Sequence, residues 1–306
     1  MSAFTGVDLS RLPPPDVIEP LDYERILTDV LTDLRTRYPE FDVLVESDPA
    51  YKIAQVLAYR ELTLRQRINE SCRATMLAFA AGADLDHIGA RYNVARLVVA
   101  PGNPSAIPPV PQTLEPDDDY RRRIQLSFEA FTTAGSQGSY IFHALSASGQ
   151  VRDANAVSPA PTQVTVYVLS RTGNGGADEQ LLQQVATTLN QEKIRPMTDL
   201  VTVLSASIIE YAIEAELVCY PGPDSGLVLS AAQAAIQAYT DDMHRLGYDV
   251  TVSGVMAALH QPGLQRAKLI GATPIPDSEG RLVVVDDSQA PYCTAINLVI
   301  AEVPDV

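Results

Sequence analysis

From Asp48 to Ala81 the chain contains no glycine. Its only proline there, Pro49, follows an aspartate and so suits the first position of a helix. Ile53, Leu57, Leu64, Ile68, Cys72, Met76 and Phe79 recur with helical spacing, and Arg60 stands in one gap of the stripe. The pattern predicts a single helix through Ala81, ended by Gly82. At ~1.5 Å per residue it approaches roughly 50 Å, far beyond the ~11–12 residues of an average globular helix. One stripe of this length exceeds what two short neighbours can cover. It is either the core of a helical domain or a surface that packs across a subunit boundary. On the second reading the candidate assembly stripe is Ile53, Leu57, Leu64, Ile68, Met76 and Phe79.

Other helices flank this one. Ile26, Leu27, Val30, Leu31 and Leu34 mark a helix from about Leu21 to Arg37, closed by Pro39. Asp84 is expected to cap a short helix through Arg91, with a turn at Asn93. Residues 1–20 are polar, hold Pro13-Pro14-Pro15 and Pro20, and read as an extended polyproline arm. Val99 to Pro116 contains six prolines and reads as a linker or an extended crossing.

A second organised stretch runs from Glu115 to Val168. Asp117, Asp118 and Asp119 stand four residues before Arg121, Arg122 and Arg123, a spacing that on a helix makes three acid-before-base pairs. The acids also fall in the first turn, where the helix dipole favours them. Tyr120, Ile124, Phe128 and Phe131 share one face. Thr133-Ala134-Gly135-Ser136 breaks the helix, and Ser136 or Ser139 can cap the next. Strands follow around Pro159-Ala160-Pro161, with Val164, Val166 and Val168 facing one way and Thr165 and Tyr167 the other.

Beyond it come a helix with Leu181, Leu182, Val185 and Leu189, and a strand at Val201 to Leu204. The longest alternation places Ile209, Tyr211, Ile213, Ala215, Leu217 and Cys219 inward and Glu210, Glu214 and Glu216 outward, a half-exposed antiparallel strand. After a turn at Pro221 to Gly226, Leu229, Ala232, Ile236, Tyr239 and Met243 mark a helix. Ser253 is expected to cap another, and strands are expected at Leu264 to Ile270, Leu282 to Val285 and Thr294 to Ala301. The sequence helix, glycine, strand occurs at Ala144 to Ala154 and again at Ala258 to Ala267, a weak internal echo. The fold class is α+β. A helical region with a long helix is followed by two small α+β domains with mixed or antiparallel sheets. The divisions are an arm at 1–20, a helical region at 21–98, a linker at 99–116, a middle domain at 117–205 and a C-terminal domain at 206–306.

The formal net charge is −16 over 306 residues, the opposite of the basic footprint that nucleic-acid binding needs. No apolar run reaches the ~18 residues of a membrane span, and residues 1–16 hold no apolar signal-peptide core. Cys72, Cys219 and Cys293 are odd in number and far apart, as in a reducing cytoplasm. His87, His143, His244 and His260 show no zinc spacing. Ala134-Gly135-Ser136 departs from a nucleophile elbow, because Ala134 stands where glycine is needed and a helix precedes the serine. Gly173 to Gly176 lacks the Lys and Ser/Thr of a phosphate loop. The acids at 117–119 diverge around a helix and face arginines, which argues against a metal. No cofactor or metal is expected. Two functions from different classes stay open: a structural protomer, and an enzyme or sugar-binding module whose carboxylate site forms only in the folded chain.

The acidic-then-arginine helix, Thr133-Ala134-Gly135-Ser136, and Val151-Arg152-Asp153-Ala154 before Pro159-Ala160-Pro161 and a valine-rich strand resemble the baseplate J-like family. So do Gly82-Ala83-Asp84-Leu85-Asp86, Ile88-Gly89 and Tyr92-Asn93-Val94-Ala95-Arg96. The resemblance covers roughly Pro20 to Val303 and rests on the order and spacing of loose motifs. It implies a wedge protein of a contractile-tail baseplate, in a phage, tailocin or related injection system, and not an enzyme. It also implies partners: other copies of the chain and other wedge proteins, with no nucleic acid and no membrane. Two copies would associate through their helical parts with another wedge protein, and the C-terminal α+β domains would contact the next wedge. Assembly would take place in the bacterial host cytoplasm.

Overall fold

The computed structural model describes residues 19–40, 45, 47–132, 135–221 and 224–301, with residues 7, 9, 12, 13 and 15. Most of the expected arm, residues 133–134 of the expected helix break and part of the turn after Pro221 lie outside these. The chain divides into two compact units, one from Val7 to Ala95 and the other containing Arg96 to Val306.

The first unit is helical. Its helices are α1 (Tyr23–Arg37), α2 (Pro49–Ala74) and α3 (Gly82–Arg91). Asp22 caps α1 by accepting from the Arg25 N–H, and Asp48 caps α2 by accepting from the Ala50 N–H, with Pro49 at the first helical position. Ile26 and Leu27 of α1 bury themselves against Ala54 and Ala58 of α2, whose small side chains let the helices approach closely. Upstream of α1, Glu19 and Asn69 of α2 exchange two hydrogen bonds (2.9 and 3.2 Å), and Arg65 pairs with Glu19 at 2.8 Å.

At 26 residues α2 spans roughly 39 Å, shorter than expected. It stops at Ala74 rather than Ala81. There Thr75 turns its hydroxyl onto the Cys72 carbonyl, and tight turns carry the chain to Ala80. Gly82, at φ +53, opens α3 instead of closing α2. Asp84 lies in the first turn of α3 without capping it; Ala81 occupies that position.

The second unit begins with the stretch expected as a linker. It folds back as a narrow hairpin, β1 (Val98–Ala100) antiparallel to β2 (Thr113–Leu114), with a further bridge between Asn103 and Val110. Then come α4 (Asp117–Leu126), a 3-10 turn at Ser127–Phe131, α5 (Gln137–Ala147), β3 (Val151–Ala160), β4 (Gln163–Ser170), α6 (Glu179–Leu189) and β5 (Leu200–Ser205). Tightening into 3-10 geometry at Ser127 rotates the face expected to be apolar. Tyr120 and Ile124 are buried, whereas Phe128 and Phe131 stand exposed. Ser136 caps α5 through the Ser139 N–H. The sheet order is β3-β4-β5, with β4 antiparallel to β3 and parallel to β5.

The remainder holds β6 (Ser207–Cys219), α7 (Ser225–Met243), β7 (Val250–Thr251), α8 (Val252–Leu259), β8 (Leu264–Thr273), β9 (Arg281–Val283) and β10 (Gln289–Ile300). Thr251, not Ser253, caps α8. β6 is central, antiparallel to β8 and parallel to β10, so the strand expected as antiparallel pairs both ways in a mixed sheet. Tyr211, Ile213, Ala215, Leu217 and Cys219 of β6 are buried, and the core they enter also holds Val228, Ala232 and Ile236 of α7 and Val255 and Leu259 of α8. Both sheets carry a helix–glycine–strand unit on the antiparallel edge, α5–β3 and α8–β8. In the first the central strand follows that unit, and in the second it precedes it. The echo is therefore one of parts and not of chain order.

The two sheets share one extended segment. β5 and β6 are separated by Ala206 alone, and from Leu200 to Cys219 the chain spans roughly 65 Å. Ala206 is buried with Leu169, Leu246 and Ala290, a small core at the joint.

Candidate assembly surface

The apolar side chains that α2 buries fully against α1 are small, Ala54 and Ala58, with Tyr51 and Leu62 partly buried beside them. Four other large apolar side chains stay open: Ile53 is 62% exposed, Leu57 53%, Leu64 62% and Ile68 56%. Val30 and Leu34 of α1 join Ile53, Leu57 and Leu64 around a shallow groove, edged by Asp33, Arg60 and Glu61. A second hollow continues along Leu64, Arg67, Ile68, Ser71, Cys72 and Thr75. The spacing i, i+4, i+11, i+15 keeps the four side chains on one face. Met76 and Phe79 fall outside it, half-buried in the turns after the helix end. Arg60, in the gap of the stripe, lines the groove.

The arginines of the acidic segment take a different course from the expected i,i+4 pairs. Arg123 forks onto Glu115 at 3.0 and 2.7 Å, both residues nearly fully buried, and also reaches Ser146. Arg96 bonds the Glu115 carbonyl and Asp117 and lies over the Tyr120 ring, 4.6 Å from its centroid. Asp119 pairs with Arg171 at 2.6 Å, and Asp118 with Arg121 at the shorter i,i+3 spacing. Arg122 donates to Asp153 at 2.9 Å. The charges thus tie α4 to the base of the hairpin, to α5, to β3 and to the loop after β4.

Asp153 and Arg152 link the two sheets. One carboxylate oxygen of Asp153 accepts from Arg122 and the other from the Leu246 N–H at 3.0 Å. Arg152 donates to the carbonyls of Asp241 and His244, and Asn155 to that of Asp287. His244 is buried beside them, its Nδ1 2.6 Å from the Pro291 carbonyl oxygen and its ring edge-on to Tyr292. Burial holds its imidazole below the ordinary histidine range, and the Pro291 contact pulls the other way. Burial also raises the Tyr140 phenol, which donates to Asp199 at 2.7 Å. Arg152 and Asp153 belong to the recognised motif, but nothing in their local pattern pointed to partners some ninety residues away.

Asp117, Asp118 and Asp119 each meet an arginine, and Glu210, Glu214 and Glu216 lie along the open side of a sheet. Among the described residues no group of three His, Cys, Asp or Glu is placed to hold a metal ion. The two grooves along α2 are apolar and shallow, a shape suited to a helix face and not to a small polar substrate.

The Baseplate J-like N-terminal domain matches residues 46–103, which contain α2, and the Baseplate J-like central domain matches residues 132–205, from the end of the 3-10 turn to the end of β5. Baseplate protein J of Escherichia phage P2 is 47% identical over 300 residues, covering 96% of this chain and 97% of that protein. Likeness on this scale, across both units, shows that the chain belongs to the baseplate J-like family of phage baseplate structural proteins.

Proposed function

We propose that the chain is a wedge protein of a contractile-tail baseplate, built into a ring with copies of itself and with other wedge proteins. The exposed face of α2 is the surface through which it assembles. The carrying observation is that Ile53, Leu57, Leu64 and Ile68 are all more than half exposed on one side of a helix of roughly 39 Å. Four large apolar side chains in a row on a soluble protein mark an interaction surface. Their helical register beside a groove fits the apolar face of a partner helix. The role is structural, not enzymatic: the acids are bound to arginines and the hollows lack convergent polar groups. A net charge of −16 opposes nucleic acid as a partner. Among the described residues no helix is long and apolar enough to cross a membrane. The particle is a phage virion or a tailocin, assembled in the bacterial host cytoplasm.

Leu64→Asp and Ile68→Asp test the surface. Both positions are open in the single chain, so its melting temperature should hold. Buried in an interface, an unpaired carboxylate costs several kcal/mol, so incorporation into co-expressed baseplates should fail. Unchanged melting with normal assembly refutes the reading, and an unfolded single chain returns the stripe to an internal role.

A further inference from the structure

Two arginines stand on the exposed apolar face of α2. Ile53, Leu57, Arg60, Leu64, Arg67 and Ser71 follow one another at steps of four and three, the seam of a helix that packs against another helix. Arg60 lines the first groove and Arg67 the hollow that continues it. They are seven residues apart and hold the same place in successive repeats. Both are exposed, and among the described residues neither side chain makes a hydrogen bond or an ion pair. The acids at the groove edge are already paired, Asp33 with Arg37 at 3.4 Å and Glu61 with Arg65 at 2.5 Å. A chain with 38 Asp and Glu to 22 Lys and Arg thus leaves two guanidiniums unmatched along an apolar groove.

These charges discriminate between coverings. A second copy of α2 laid parallel and in register sets each arginine against its own counterpart, like charges in a closing interface. Laid antiparallel, it sets them against Leu57, Leu64 or Ser71, the alternate places of the seam. A guanidinium buried there without a carboxylate is strongly unfavourable. The carboxylates of α2 itself are Glu61 and Glu70, and both are engaged, by Arg65 and by Gln66.

We propose that this face is covered by an amphipathic helix of a different protein, with an apolar stripe over Ile53, Leu57 and Leu64 and two carboxylates seven residues apart that take the guanidiniums of Arg60 and Arg67. The inference rests on the assembly reading above and adds the partner's chemistry. A carboxylate accepts two parallel N–H bonds from a guanidinium, which fixes the partner's register as well as holding it. The arginine stems can lie along the apolar surface while their heads meet the acids. The net charge of −16 does not bar an acidic helix, because charges beyond the ~8 Å screening length of physiological salt are largely screened.

Two synthetic peptides, each three heptads long with leucine along the seam, differ at two positions seven residues apart: glutamate in one, lysine in the other. Titrated into the full-length chain, the glutamate peptide should bind about tenfold more tightly, the effect of about 1.4 kcal/mol, and added salt should shrink the difference. Arg60→Gln with Arg67→Gln should abolish the preference, and Arg60→Glu with Arg67→Glu should reverse it. The melting temperature should hold, as for other exposed positions. Equal binding of the two peptides, binding of neither, or a preference that survives Arg60→Gln with Arg67→Gln overturns the proposal. Alone, the chain should not dimerise through this face, whereas Arg60→Leu with Arg67→Leu should make it do so. A wild-type dimer in sedimentation that Leu64→Asp abolishes overturns the proposal in favour of a second copy. If Leu64→Asp blocks incorporation into co-expressed baseplates and Arg60→Glu with Arg67→Glu does not, the charge inference falls and the surface stands. If both variants assemble normally, the surface reading falls with it.

Discussion

Asp153→Ala removes one acceptor from three donors. The carboxylate accepts from Arg122 at 2.9 Å, from the Ala154 N–H at 2.9 Å and from the Leu246 N–H at 3.0 Å, and its side chain is 3% exposed. Leu246 is 2% exposed, so water cannot readily replace the lost bond, and a buried unmet N–H costs ~1–3 kcal/mol. Breaking a buried ion pair costs ~3–5 kcal/mol, but Arg122 keeps 30% of its side chain in solvent and can partly rehydrate. The two losses share one carboxylate and do not add. The expected destabilisation is about 4 kcal/mol, a large share of the ~5–15 kcal/mol that holds a typical domain. Asp153→Asn keeps one acceptor oxygen and should lose about half as much.

Urea unfolding of the full chain, with amide exchange followed by residue, measures both size and place. Exchange should accelerate at Leu246 and in β3 while α1 and α2 stay as they were. A loss under about 1 kcal/mol, the value of an exposed pair, would refute the view that this carboxylate locks the two sheets together.

Gly149→Ala should destabilise more than Gly254→Ala: the first drives a methyl into the Val98 backbone, the second into the movable phenol of Tyr239, and equal melting temperatures would contradict this. His244 predicts an acid-side loss of stability. Its folded pKa lies below the ordinary ~6.5, so the unfolded chain takes up a proton that the folded one refuses. Stability is complete above that pH and falls as pH drops through it, by at most about 1.4 kcal/mol per pH unit for this group. The charged neighbours Arg152, Asp241 and Asp153 contribute to that setting, and a His244→Gln variant with the wild-type slope between neutral and mildly acid pH would count against the assignment.

Local signals suffice where local forces decide. Asp48-Pro49 starts α2, Ser136 starts α5, and the alternation from Tyr211 to Cys219 gives the buried row of β6, because caps and a period of two act within a few residues. Sequence pattern and structure part where distant packing decides. The sequence predicts the end of α2 seven residues late, since residues 75–81 contain no breaker and only the turn after Cys72 ends the helix. Parallel pairing of β10 with β6 joins residues more than eighty apart, and alternation cannot distinguish it from the antiparallel case. The Pro-rich stretch reads as a linker or an extended crossing because proline excludes helix and central strand, yet proline permits a narrow hairpin. The exposed face of α2 shows the same limit, since spacing defines a stripe without saying whether this chain or another covers it.

The arginines of α4 show how magnitudes select among partners that sequence leaves equal. An exposed i,i+4 pair contributes ~0.2–0.5 kcal/mol, so adjacency in sequence is a weak claim on a charge. A buried guanidinium must be met by good geometry, or several kcal/mol are lost. Arg123 is 3% exposed and therefore takes the two-pronged contact with Glu115, which no residue on its own helix offers in that orientation. Arg96, 10% exposed, follows the same rule toward Asp117, Arg122 reaches the buried Asp153, and Arg121 pairs with Asp118 at the short i,i+3 spacing. Helix α4 thereby holds the hairpin base, α5 and β3 in one frame, and Asp153 extends that frame to the loop after α7.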